Sequence, residues 1–268
     1  MIVGLVVAAR LEAQGPTDPH AVQPERPTVA THAGLVALGW LEIETGVERD
    51  RLLGATSLSV PTVLKMGLTR RTQLNLGLPM AGPSGERVGP GDLSVGIKWR
   101  LADELPILRE FAVLPAVKFS TGAFDHGRGT STTDASLLLI SSRTLGQFSV
   151  DVNAGFTLRS GDGSRAPRFA SLGTVSVGAE VRGPLGWVAE VYGYPATSGP
   201  SGAAAIVGLL TGPTYAVRPW LAFDAGMIAP VTGPQPWALF AGTVVNAGKL
   251  WSVAKAADKP RSVGWSGR

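Results

Sequence analysis

Apolar residues alternate with small or polar ones along much of this chain, and this period of two is the feature that most restricts the fold. Twelve segments are candidate strands, and the alternation is weak in four of them, 135–143, 205–215, 220–231 and 237–246. In residues 93–101 (LSVGIKWRL) every second residue is apolar, and serine, glycine, lysine and arginine stand between them. Successive side chains of a β-strand point to opposite faces, whereas a helix would mix the two sets. The sequence therefore predicts an all-β protein.

The segments follow one another at spacings typical of antiparallel strands. They are Leu41 to Glu48, Ser57 to Leu68, Leu74 to Met80, Leu93 to Leu101, Phe111 to Thr121, Ala135 to Arg143, Gln147 to Leu158, Thr174 to Arg182, Trp187 to Pro195, Ala205 to Tyr215, Trp220 to Val231 and Trp237 to Asn246. We expect about twelve strands.

The connections between these segments alternate in length. Short links at 69–72, 144–146, 183–186 and 216–219 alternate with longer links rich in glycine, proline and serine at 81–92, 122–134, 159–173 and 196–204. Barrels of bacterial outer membranes have short periplasmic turns and longer outer loops. The link 102–110 is an exception, because it is long for its expected periplasmic position.

The composition favours a membrane barrel over a soluble one. Charged residues are 16% of the chain, against about 25% in ordinary domains. No apolar stretch reaches the roughly 18 residues of a spanning helix, so strands would have to cross the lipid. Lipid requires every backbone polar group to be paired within the protein, and a closed barrel meets that requirement. We expect a single antiparallel transmembrane β-barrel in the bacterial outer membrane.

The chain is expected to have four parts. Residues 1–14 begin with a short apolar run (IVGLVVAA) followed by small residues, which is typical of a signal peptide, although its positive start is missing. Residues 15–31 are rich in proline and are interpreted as a linker. The barrel is expected over 32–251, and a polar, basic tail over 252–268.

If the apolar faces point to lipid, the polar residues between them point into the lumen. The lining predicted in this way is Glu42, Glu44, Lys65, Lys98, Arg100, Lys118, Asp151, Asn153, Glu180, Arg182, Glu190, Tyr192 and Asp224. Both signs of charge occur together. Opposite charges in a confined space usually pair, so a salt-bridged plug and a lining that selects ions or solutes both remain open.

The residues that could carry other chemistry are few. The chain has no cysteine, and its three histidines do not form a spaced pair, so we expect neither a metal site nor a cofactor. His126, with Asp125 and Ser131 nearby, offers the material for a catalytic triad, but it lies in a glycine-rich loop where a solvated histidine is the simpler interpretation. Lysines and arginines are scattered, so nucleic acid is not an expected partner.

Several stretches resemble an outer-membrane β-barrel transporter family named for the meta-pathway of phenol degradation. They are GDLSVGIKWRL (91–101), AVLPAVKFSTG (112–122), GRGTSTTDASLLLISSRTLGQFSVDVNAGFT (127–157), AEVYGY (189–194) and LLTGPTYAVRPWLAFDAGM (209–227). The similarity covers about residues 41–246, and none of these stretches is a catalytic motif. Many members end near the last strand, whereas this chain continues for seventeen residues beyond Trp251.

The resemblance implies an exported channel or transporter for small molecules, with aromatic or hydrophobic ones as candidates. Its partners would be membrane lipids, a small solute and the barrel-assembly machinery. The alternatives are a lipid-modifying enzyme of the outer membrane and a structural or adhesion barrel with a closed lumen. In the channel interpretation Lys98 is a lining charge, and Lys98→Gln should fold nearly as well as the wild type while changing ion preference.

Overall fold

The computed structural model describes residues 18–161, 163, 167–198 and 204–252. In that part of the chain the secondary structure is antiparallel β-sheet, apart from one 3₁₀ turn at Phe124–His126. The strands are β1 Trp40–Leu52, β2 Ala55–Val60, β3 Thr62–Gly67, β4 Thr72–Gly77, β5 Met80–Gly82, β6 Gly89–Pro90, β7 Ser94–Leu105, β8 Arg109–Lys118, β9 Asp134–Leu145, β10 Phe148–Arg159, β11 Phe169–Arg182, β12 Leu185–Tyr194, β13 Ile206–Arg218, β14 Leu221–Thr232 and β15 Trp237–Lys249.

These strands close into a barrel of twelve. β2 and β3 form one barrel strand, interrupted at Pro61, which has no N–H to donate. β4 and β5 form the next, and the two-residue β6 pairs with β5 in an outer loop. The ring closes where β15 pairs with β1, from Trp40 opposite Lys249 to Arg51 opposite Trp237. The prediction of a single antiparallel barrel of about twelve strands is confirmed.

The two ends of the barrel differ in the length of their connections. Residues 68–71, 106–108, 146–147, 183–184 and 219–220 form short turns at one end, which is the periplasmic end by the rule for outer-membrane barrels. Most links at the other, outer end are longer, such as 119–133. The prediction of a long link at 102–110 is wrong. β7 extends to Leu105 and β8 starts at Arg109, which leaves a turn of the usual length.

The two faces of each strand differ in exposure as a membrane barrel requires. On β7 the side chains of Val95, Ile97 and Trp99 are 38%, 37% and 51% exposed, whereas Lys98 is 0% and Arg100 is 7% exposed. A soluble barrel would show the reverse distribution, with apolar side chains inside and charges outside. The apolar face of the sheet therefore points to lipid.

Aromatic side chains mark the periplasmic rim of this outward face. Trp99, Phe148 and Trp187 are all largely exposed and lie on strands close to the short turns. Such rings are enriched where the hydrocarbon meets the headgroups, because they combine an apolar body with a polar edge. They are consistent with the orientation inferred from the connections.

Candidate functional site: a lumen filled by a luminal segment

The lumen of the barrel contains residues 18–39, which we call the luminal segment. It enters at the periplasmic end, where the Val22 N–H donates to the Pro219 carbonyl at 2.8 Å. It rises along β1, bends at residues 28–31 near mid-barrel, and returns to the periplasmic end, where β1 begins at Trp40. The interpretation of residues 15–31 as a linker is corrected in its described part, since residues 18–21 lie at the periplasmic mouth and residues 22–31 lie inside the barrel.

Side chains of the barrel wall satisfy the backbone of this segment. Within the described residues, seven of its backbone N–H groups donate to inward side-chain oxygens, each at 2.7 Å. The donor and acceptor pairs are Gln23 to Glu42, Glu25 to Glu44, Val29 and Ala30 to Glu190, Thr31 to Asn153, Ala33 to Ser142, and Val36 to Gln73. A buried segment without secondary structure needs such partners, because an unpaired N–H is costly to bury.

Lys98 joins the rising and returning parts of the luminal segment. Its ammonium group donates to the carboxylate of Glu25 on the rising part, and to the carbonyl oxygens of His32 and Gly34, each at 2.9 Å, on the returning part. Lys98 is fully buried. A buried ammonium is tolerated only when it is paired and hydrogen-bonded, so these contacts tie the segment to β7.

The surroundings of Glu25 and His32 lower the pKa values of both groups. Burial raises the pKa of the Glu25 carboxyl, but the positive charge of Lys98, the next largest influence, reverses this and holds that pKa well below its usual range. For His32, burial and then the charge of Lys98 lower the pKa to about 3. The structure therefore contains an ionised Glu25 and a neutral His32 at neutral pH.

Two further ion-pair groups hold the segment from other sides. Lys65 lies 2.7 Å from Glu42 and 2.6 Å from Glu44, and it also donates to the Gln23 carbonyl at 2.6 Å. Arg26 of the segment lies 3.2 Å from Asp224 on β14. These charges are therefore paired with one another or with the segment.

Glycine makes room for the segment at two places on the wall. A Cβ on Gly67 would overlap the carbonyl oxygens of Val36 and Ala37, and a Cβ on Gly242 would overlap the guanidinium of Arg26. At Gly67 the overlap is with backbone, so this inward position needs glycine for the luminal segment to approach so closely, whereas at Gly242 the end of the Arg26 side chain could move aside.

An apolar cluster lies on the other side of the lumen. Inward side chains of β12 to β15 form a buried cluster, against which Val29 of the luminal segment packs together with Leu172 and Tyr194. Its members are Val188, Tyr192, Leu210, Ile228, Ala238 and Phe240. The lumen thus has charged groups on β1, β3 and β7, while β12 to β15 carry this apolar cluster beside the two buried carboxylates of Glu190 and Asp224.

Cavities lie on both sides of the luminal segment. The outer cavity, of about 840 Å³, is bordered by inward residues of β8 to β12, among them Leu114, Leu138, Leu172 and Tyr194. Toward the periplasm lie two inner cavities of about 820 Å³ and 380 Å³, both bordered by Pro24 of the segment and by Ser149 and Asp151 of β10. On β10, Asp151 borders the inner cavities, Asn153 binds Thr31 of the segment, and Gly155 borders the outer cavity, so the segment lies between the two spaces.

A network of polar contacts orders the outer loops above the outer cavity. Lys118 lies 3.2 Å from Asp92 and 3.0 Å from Asp134. Burial alone would raise the pKa of Asp92, but the backbone N–H groups of Thr130 and Gly122, with Lys118, hold it below its usual value. The loop 119–133 is therefore fastened to the barrel rim.

The structure places the thirteen predicted lining residues in five groups. Those that contact or surround the luminal segment are Glu42, Glu44, Lys65, Lys98, Asn153, Glu190 and Asp224. Arg100 and Asp151 border the smaller inner cavity, Lys118 belongs to the outer network, and Tyr192 lies in the apolar cluster. Glu180 and Arg182 are exposed near the periplasmic turn, with Glu180 bordering the larger inner cavity.

The sequence analysis missed the residues that the luminal segment contributes, above all Glu25, Arg26, Val29 and His32. The sequence does contain a signal for such a segment, namely the many inward Glu, Asn and Gln side chains of the strands. So many hydrogen-bond acceptors in a narrow lumen need donors from another part of the chain. The sequence analysis also missed the apolar cluster of the lumen. Inward Leu210, Ile228 and Phe240 alternate with outward apolar residues, so their strands have no clear period of two.

The described residues offer few groups for other kinds of site, such as a metal site. They contain no group of three or more His, Asp or Glu side chains placed to hold a metal ion. The same residues include no helix with the length and hydropathy that crossing a membrane requires. The expected signal peptide, 1–14, and all but the first residue of the tail, 252–268, lie outside the described residues.

Solved structures with the same fold are outer-membrane barrels. The chain is similar to the COG4313 outer membrane channel from Pseudomonas putida F1, with 12% identity, a TM-score of 0.60, and coverage of 78% of this chain and 95% of that one. It is also similar to the KdgM porin, with 9% identity, a TM-score of 0.52, and coverage of 76% and 98%. At these identities the likeness establishes the fold.

Sequence comparison supplies the family. Among curated proteins, none matches the chain. The family model described as "Putative MetA-pathway of phenol degradation" matches residues 20–235. This match spans most of the chain and includes nearly all of the luminal segment as well as the strands up to β14. The chain therefore belongs to that family.

Proposed function

We propose that this protein is an outer-membrane channel for small molecules and that residues 18–39 close it in the conformation described above. The observation that carries the proposal is the division of one lumen into an outer cavity and inner cavities by a segment that is not part of the wall. Passage then requires the luminal segment to shift. The similar channel and porin folds and the family description support this function.

The route favours small solutes. A barrel of twelve strands lies between eight-stranded barrels, whose interior is filled by side chains, and the wide porins of sixteen or more strands. The luminal segment narrows it further. Aromatic or hydrophobic molecules suit the apolar cluster of the lumen, and the family description points to phenol degradation as a metabolic setting. The outward face contacts lipid, and the barrel-assembly machinery would insert the chain.

A structural barrel with a permanently closed lumen is the second candidate, because the ion pairs of Lys65, Lys98 and Arg26 fix the segment firmly. An enzyme is a weaker candidate. His126 lies 3.0 Å from Glu86 on the exposed outer loops, where the pair resembles an ordinary surface contact. We therefore propose that the protein is not an enzyme.

A reversible lock on the luminal segment tests the proposal. The chain has no cysteine, so the pair Ala33→Cys and Ser142→Cys would introduce a single disulfide where the Ala33 N–H now meets the Ser142 hydroxyl at 2.7 Å. We expect the oxidised double variant to lose both discrete conductance in planar bilayers and solute uptake by liposomes, and to regain both on reduction.

The single-cysteine variants are the matched controls and should respond to neither oxidant nor reductant. Equal conductance of the locked and reduced forms would show that the segment does not obstruct the route. Absence of conductance and uptake in the wild type and in the reduced variant would favour the structural barrel.

A further inference from the structure

The outer cavity has the composition of a binding site and differs from the rest of the lumen. Its inward wall residues include Leu114, Ala116, Leu138, Leu172 and Tyr194. At about 840 Å³ it falls in the range of pockets that hold small ligands. Ser136, Thr157 and Ser171 also border it, so it combines an apolar wall with a few hydroxyl groups, as pockets for small ligands usually do.

The charges around this cavity are already engaged. Lys118 lies between Asp92 and Asp134. Arg159 donates to the carbonyl oxygens of Pro167, Thr197 and Ser198 at 3.0, 3.3 and 2.9 Å. Lys118 is thus paired with two carboxylates, and Arg159 is hydrogen-bonded to three carbonyl oxygens, at this end of the barrel. An ionic solute would have to displace existing partners, whereas an uncharged one would not.

The cavity also continues toward the apolar cluster of the lumen. Leu172 and Tyr194, which border it, pack against the buried cluster of β12 to β15 that Val29 of the luminal segment also touches. The Tyr194 ring meets the Tyr192 ring edge to face, with centroids 6.2 Å apart and planes at 82°. Tyrosine rings in such a wall favour another ring, which they can contact in offset or edge geometry.

We propose that the outer cavity is a binding site for uncharged aromatic molecules of one or two rings, positioned above Val29 of the luminal segment. The proposal rests on the proposed channel function for its purpose, since the bound molecule would wait on the outer side of the closed segment. The binding itself depends only on the cavity and can be measured whether or not the protein conducts.

Two fluorinated single-ring probes, one uncharged and one anionic, test this site on the wild-type protein in lipid nanodiscs. We expect 4-fluorophenol to show saturable broadening in fluorine NMR that unlabelled phenol reverses, and 4-fluorobenzoate to show none. Empty nanodiscs correct for partition into lipid. Equal saturable binding of both probes, or of neither, would overturn the proposal.

A pair of serine substitutions locates the site. Ser136 on β9 borders the outer cavity, and Ser149 on β10 borders both inner cavities. Ser136→Phe should abolish the saturable binding of 4-fluorophenol, whereas Ser149→Phe, the same change on the other side of the luminal segment, should leave it. If Ser136→Phe does not fold, Thr157→Phe, which enters the same cavity from β10, replaces it.

The outcomes separate the two proposals. Binding that Ser149→Phe abolishes and Ser136→Phe spares would place the site in the inner cavities and refute this inference. Binding as expected, with no solute uptake by liposomes, would leave the site standing and count against the channel. Uptake of 4-fluorophenol without saturable binding would support the channel and refute the site.

Discussion

Lys98 donates to Glu25 and to the carbonyl oxygens of His32 and Gly34, so its charge is not presented to water in a pore. The sequence correctly predicts that Lys98 faces away from lipid, because it alternates with Val95, Ile97 and Trp99. It does not predict what Lys98 faces. The expectation that Lys98→Gln would only change ion preference must therefore be replaced, since this substitution would leave Glu25 buried without its cation.

The structure leads to a different prediction for Lys98→Met. Removing one partner of a buried ion pair typically costs about 3 to 5 kcal/mol, because the remaining charge is stranded. Here the cost is relieved when the luminal segment leaves its place, while the barrel wall keeps its backbone pairing. We expect a folded barrel with faster hydrogen exchange of the backbone N–H groups of residues 23–36 and a higher open probability in planar bilayers.

A second substitution supplies the control at the same site. In Lys98→Met combined with Glu25→Gln the stranded charge is gone, so exchange in residues 23–36 should slow again toward the wild-type rate. If Lys98→Met alone leaves the exchange rates and the open probability unchanged, Lys98 does not fasten the luminal segment.

At the scale of elements, the strands were predictable and the luminal segment was not. Most strands show a period of two in the sequence, because lipid on one face and a polar lumen on the other impose it, whereas β13 to β15 show it only weakly because apolar residues occupy both of their faces. Residues 18–39 pair with the sheet only at a single bridge between Leu38 and Gly67, and prolines at 19, 24 and 27 give the stretch the composition of a linker. Its position depends on side chains such as Glu190 and Asn153, more than 100 residues away in the chain.

Adjacent residues of β9 test the assignment of its two faces. Leu137 is outward and 39% exposed, whereas Ser136, the preceding residue on the opposite face of the strand and at almost the same depth, is half-buried. An arginine on the lipid face near the bilayer centre costs about 2 to 4 kcal/mol, and less toward the interface. Leu137→Arg should therefore destabilise folding into vesicles in urea titrations, and Ser136→Arg should fold nearly as well as the wild type. Equal tolerance of the two arginines would refute the assignment.

At the scale of the whole molecule, the closed state should depend on pH through His32. Its environment consists of Lys98, Lys65 and Glu25, with Arg100, Glu110 and Asp151 around the neighbouring cavity. Burial and Lys98 lower the pKa of His32 to about 3 in the closed state, while a released and hydrated histidine has a pKa near 6.5. Between these values the released segment binds more protons than the closed one, so acid favours release.

We therefore expect the open probability in planar bilayers to rise as the pH falls from 7.5 to 5. The contribution of His32 to the stability of the closed state is complete above about pH 6.5. It decreases as the pH falls toward the lowered pKa of His32. Glu25 does not contribute in this window, because its pKa is lowered when paired and an ordinary carboxyl titrates only below about pH 5. His32→Gln retains an uncharged polar side chain and should abolish the rise. An equal rise in this variant would assign the pH response to other groups, such as Glu110 or Asp151, and would exclude His32 as its source.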